Sequence, residues 1–89
     1  MSERLHELRD AVTANDRRIV EAVNERLRLV AELWRLKQEL GADRVDPDRE
    51  RELRAQLAAA NAGPLSADGL ERLISELLAL TKRELGASP

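Results

Sequence analysis

Three groups of polar residues in this chain are placed where they could do chemistry. Arg9, Arg26 and Lys37 interrupt an apolar stripe made of Leu5, Leu8, Val12, Ile19, Val23, Val30, Leu33 and Leu40. Asp46, Arg49 and Glu50 follow the next break, and Thr81 falls in a later apolar stripe with Glu84 close to it. The first stripe recurs at helical spacing. On such a helix Arg26 and Lys37 lie near its middle and about 16 Å apart along the axis, with Arg9 on its flank. Cations on a buried face need something anionic to meet, because an unpaired buried charge is very costly. The chemistry these residues point to is the binding of an anion.

Each residue alone has a plainer reading. A lone arginine on an apolar stripe usually snorkels or pairs with a carboxylate, and Lys37 reads the same way. The run Asp48 to Glu52 is an ordinary solvated first turn, and Asp46 is a helix cap. Thr81 is a core hydroxyl bonded to its preceding turn. Trp34 reads as core or interface packing, and His6 as a surface residue. The case rests on the combination.

Composition narrows the alternatives. The chain has 89 residues, which predicts one domain, residues 1–89. It contains no cysteine and a single histidine, so disulfides, thiolate or histidine-rich metal sites and a Ser/His triad are not expected; carboxylates remain as metal ligands, but no loop here is built to hold one, so no metal is expected. A net charge of −2 with 36% charged residues argues against a general nucleic-acid binder. No apolar run approaches the length of a membrane span. The charged start, MSERLHELRD, lacks the apolar segment of a signal peptide. A cytoplasmic location is expected. With one tryptophan and no other aromatic residue, the core must come from Leu, Val, Ile and Ala, which suits helices and not a sheet.

Three helices must position the polar groups. The first runs from about residue 2 to 40, free of proline and glycine, with Gly41 as its stop. Its outward face, Glu21, Glu25, Arg28, Glu32, Arg35 and Glu39, offers opposite charges three and four apart. Asp46-Pro47 starts a second helix over about 47–61, with Asp as N-cap and Pro in the first turn. Asp48 and Glu50 suit the positive end of its dipole. Leu53, Leu57 and Ala60 make its thin apolar face, and Gly63-Pro64 ends it. Ser66 caps a third helix over about 67–85, with Leu70, Leu73, Ile74, Leu77, Leu78 and Leu85 facing inward and Gly86 as the stop. Ala87, Ser88 and Pro89 read as a loose end. A first helix of about 60 Å cannot be covered within a compact chain of this length, whose radius of gyration is about 12 Å. It needs a partner.

Together these residues carry a resemblance. Leu8-Arg9, Arg26, Lys37 and the segment Asp46-x-Asp48-Arg49-Glu50-Arg51 resemble, in type and spacing, the all-helical chorismate mutase family. The likeness covers nearly the whole chain, and the D-x-D-R-E-R segment is its most specific part. The resemblance implies an all-α three-helix protomer with one very long N-terminal helix, joined in an intertwined homodimer with two active sites. It implies the Claisen rearrangement of chorismate to prephenate, in phenylalanine and tyrosine biosynthesis, with no cofactor. By the same resemblance Arg26, and Arg9 from the other protomer, bind the two substrate carboxylates. Lys37 meets the ether oxygen and one carboxylate, and Glu50 accepts from the ring hydroxyl. Arg49 and Asp46 support the pocket, and Thr81 matches a position where the family usually has serine.

The chemistry agrees with that assignment. Two guanidinium forks can grip a dianion and hold it in its reactive shape. A fixed lysine stabilises charge growing on the ether oxygen more in the transition state than in the ground state. One departure stands out. The family usually places a glutamine or glutamate four residues after the serine, also on the ether oxygen, and here that position is Leu85. Either a distorted last turn admits Glu84, or the donor is missing. A weak mutase is then expected. Some short mutases that this chain resembles are boosted by DAHP synthase, the enzyme that opens the shikimate pathway, and such a partner is expected here. Two other readings stay open: an isochorismate-pyruvate lyase, which shares the fold and the cations, and a non-catalytic dimeric helical interaction module.

Overall fold

A computed structural model describes residues 2–86. It is all-helical over that range: α1 (Ser2–Leu40), α2 (Pro47–Ala60) and α3 (Ala67–Leu85). The expected loose end, Ala87 to Pro89, lies outside the described residues.

Local chemistry fixes the breaks. Gly41 ends α1 at φ 71°, a left-handed conformation that glycine adopts without a steric penalty. The Ala42 N–H then donates to the Lys37 carbonyl at 2.8 Å. Asp46 caps α2 by accepting from the Arg49 N–H at 3.2 Å, with Pro47 in the first turn. The second helix closes one residue earlier than expected, because Asn61 serves as its C-cap. The Asn61 side chain donates to the Leu65 carbonyl at 2.9 Å and accepts from the Gly63 N–H at 3.0 Å, bracing the turn into α3. Ser66 caps α3 through the Gly69 N–H at 3.0 Å. Gly86 stops α3 in right-handed conformation at φ −74°. What demands glycine there is a close approach, since a Cβ would stand 2.5 Å from the Lys82 carbonyl oxygen.

The third helix is central and packs against both α1 and α2. Leu70, Ile74 and Thr81 are its buried residues, and Arg54 of α2 reaches Glu71 of α3 at 2.5 Å. Leu73, expected to face inward, is 48% exposed. It lies about 80° around the helix from the centre of the Leu70–Ile74–Thr81 row. Of the charge pairs expected on the outer face of α1, Glu25–Arg28 forms at 2.9 Å.

The molecule measures 60 × 27 × 16 Å, with a radius of gyration of 16.8 Å, well above that of a compact chain of this length. The excess is the N-terminal half of α1. Leu5, Leu8, Val12 and Ile19 are each about half exposed or more, so the stripe is uncovered within one chain. None of the described helices is long and apolar enough to cross a membrane.

Candidate active site

The C-terminal half of α1, residues 44–46 of the following loop, the first turns of α2 and the end of α3 line a half-open cavity of about 420 Å³. That volume is in the range of small-molecule sites. Val30, Leu33, Val45, Leu53 and Leu78 supply aliphatic wall. Five cations, Arg26, Lys37, Arg44, Arg49 and Lys82, face two carboxylates, Asp46 and Glu50, leaving the lining positive by three charges.

Helix α1 presents Arg26 and Lys37 on one face, about three turns apart. Arg26 Nη1 donates to Thr81 Oγ1 at 2.5 Å, and Thr81 Oγ1 donates to the Leu77 carbonyl at 2.7 Å. Thr81 therefore behaves as a core hydroxyl bonded to its own helix and also as the receptor for Arg26. Lys37 Nζ donates to the Arg44 carbonyl at 3.3 Å. The Arg44 guanidinium lies over the Trp34 ring, 4.6 Å from its centroid. Arg49 pairs along its helix with Glu52 at 3.4 Å, and Arg51 pairs with Asp48. Among the described residues, Arg26, Lys37 and Glu50 are in no ion pair. A half-buried arginine bonded only to a neutral hydroxyl has unmet demand for an anion. Pairing with a carboxylate, one plain reading of Arg26, does not describe this arrangement.

Six of the residues singled out from the sequence line the cavity: Arg26, Lys37, Asp46, Arg49, Glu50 and Thr81. Arg9 does not. It is exposed, and lies about 25 Å along α1 from Arg26. Leu85 also stands outside the lining, half-buried, and Glu84 is exposed. The α3 wall is instead the row Leu78, Lys82 and Gly86, spaced by four, whereas Leu85 continues the row of Leu70, Ile74, Leu77 and Thr81. Within one chain, neither Glu84 nor Leu85 puts a donor into the cavity. Sequence reasoning passed over Arg44 and Lys82 and read Trp34 as packing. A cation one position from Thr81 was the available signal for Lys82.

Fold and site together define a class: a small all-helical protein with a cation-lined cavity for a small anionic ligand. The comparisons with known proteins specify it further. The type II chorismate mutase family profile matches residues 8–84. The chorismate mutase of Thermus thermophilus is similar in two solved structures. Its form II has 35% identity and a TM-score of 0.87, covering 96% of this chain and 97% of that one. Its form I has 38% identity and a TM-score of 0.83, covering 88% and 98% respectively. No curated protein matches by sequence. The chain belongs to the type II chorismate mutase family, whose members are isomerases that convert chorismate to prephenate.

Proposed function

We propose that two copies of this chain pair along α1, and that each of the two cavities so completed rearranges chorismate to prephenate. Chorismate mutase activity follows from family membership. The assembly and the roles of single residues are our reading. The observation that carries it is Arg26: half-buried, bonded to Thr81 at 2.5 Å and in no ion pair among the described residues.

In this reading Arg26 takes one carboxylate of chorismate and Arg9 of the second copy takes the other. One chain cannot bring both to the same ligand, given their separation along α1. An antiparallel second copy would cover Leu5, Leu8, Val12 and Ile19 and carry its own Arg9 to the cavity mouth. The two forks hold the flexible substrate folded for reaction. Lys37 donates to the ether oxygen as the C–O bond breaks and negative charge gathers there. Glu50 accepts from the ring hydroxyl, Arg49 and Asp46 frame the pocket, and Thr81 sets the Arg26 fork. In the rearrangement a new C–C bond forms within the substrate as the ether C–O bond breaks, so no group need gain or lose a proton.

The last turn of α3 supports the expectation of a partner. Leu85 lies outside the cavity wall and Glu84 is exposed. The missing ether-oxygen donor typically costs roughly 10²–10³ in rate. Binding of DAHP synthase to this end would reshape it and raise turnover. A cytoplasmic setting is part of the same reading; none of the described helices is long and apolar enough to cross a membrane.

The test is conversion of chorismate to prephenate by the purified protein, measured alongside its mass in solution and repeated with DAHP synthase. A dimer that turns over slowly alone and faster with the synthase is expected. A monomer, or full activity unchanged by the synthase, contradicts the corresponding part of the reading.

A further inference from the structure

Arg44 has none of the roles above. It sits in the loop between α1 and α2, and both of its ends reach the same face of α1. Its carbonyl accepts from Lys37 Nζ at 3.3 Å. Its guanidinium stacks on Trp34 at 4.6 Å from the ring centroid. Trp34 and Lys37 are three residues apart, hence neighbours on the helix surface, and all three residues line the cavity. Among the described residues, the Lys37 bond is the sole hydrogen bond made by residues 43–45. The stack on Trp34 is the other tie on this stretch of loop.

We propose that Arg44 is a positioning residue for Lys37. Its guanidinium, held on Trp34, fixes the loop so that its carbonyl takes one ammonium proton of Lys37 and directs the other two into the cavity. The inference rests on the role given to Lys37 above. A lysine ammonium has three rotatable donors on a flexible four-carbon stem. Unsupported, it spreads over many positions, and one fixed acceptor narrows that spread. Orientation of this kind governs rate, since a misplacement of about 1 Å can cost roughly 10²-fold. Arg44 acts through its main chain on Lys37, while its side chain serves as the anchor. The guanidinium is therefore not a carboxylate ligand, and the two roles separate in kinetics.

The experiment measures kcat, KM and tryptophan emission for the wild type, Lys37→Ala, Arg44→Gln and Arg44→Lys. Trp34 is the only tryptophan in a chain without tyrosine or phenylalanine, so emission reports that ring alone. Arg44→Gln keeps a polar chain and loses the charge. It is expected to shift the emission and lower kcat roughly tenfold, with KM within about twofold of wild type. Arg44→Lys, whose ammonium also stacks on tryptophan, is expected to recover kcat to within about threefold. A shifted emission with wild-type kcat overturns the proposal, leaving the stack as loop packing. A raised KM with unchanged kcat also overturns it, by making Arg44 a substrate ligand. Wild-type turnover in Lys37→Ala is a different failure, that of the catalytic assignment itself.

Discussion

Arg26 and Thr81, 55 residues apart in sequence, meet at 2.5 Å across the α1–α3 contact. The threonine spends its single proton on the Leu77 carbonyl at 2.7 Å and offers a lone pair to Arg26. Among the described residues this is the one hydrogen bond that the Arg26 side chain makes, so the rest of its fork is available to a ligand. The pair links the packing of the fold to the chemistry of the cavity.

Thr81→Val keeps the shape of the side chain and removes both bonds. Unfolding stability should fall by about 1 kcal/mol, and KM should rise several-fold as the Arg26 fork loses its support. Thr81→Ser should stay near wild type in both. Thermal unfolding and steady-state kinetics on the same preparations check this; an unchanged KM in the valine variant would detach Thr81 from substrate binding.

Arg26→Ala should separate function from stability. We expect kcat/KM to fall by roughly 10² or more, because one of two carboxylate grips is lost. Unfolding stability should hold or rise, since a half-buried cation in no ion pair is removed. A variant that unfolds easily would show that Arg26 serves the core.

Lys37→Ala should act on kcat. Loss of a donor to a developing oxyanion costs roughly 10²–10³, and helicity by circular dichroism should be retained. A change confined to KM would place Lys37 on a carboxylate and not on the ether oxygen.

Salt should weaken substrate capture. The lining carries an excess of three positive charges and the substrate two negative ones. Screening lengths shorten from about 10 Å at 0.1 M to about 3 Å at 1 M. KM should climb across that range while kcat changes little, and a flat KM would mean that the cavity charge does not steer binding.

Much of this molecule is legible in its sequence, for identifiable reasons. Asp46-Pro47, Ser66 and Gly41 mark helix ends because capping and left-handed backbone are local chemistry. Arg26, Lys37 and Thr81 stand out because polar residues break an apolar period. Arg44 could not be read this way, since a loop has no periodicity and its stack on Trp34 depends on the path of the turn. Lys82 was hidden because a wheel drawn around the Leu70–Ile74–Thr81 row puts it on the solvent side, whereas the cavity opens on that flank. Leu73 is exposed in the single chain because the packing row of α3 is narrower than its apolar pattern.

The most direct test of the shared cavity mixes two inactive variants, Arg9→Ala and Arg26→Ala, dissociated and reassembled together. If Arg9 serves the other copy's site, each mixed dimer holds one intact cavity and one doubly altered one. Random reassortment of equal amounts should then restore about a quarter of wild-type turnover per chain. Activity no higher than that of the separate variants, with exchange of chains verified, would contradict a site built from two copies.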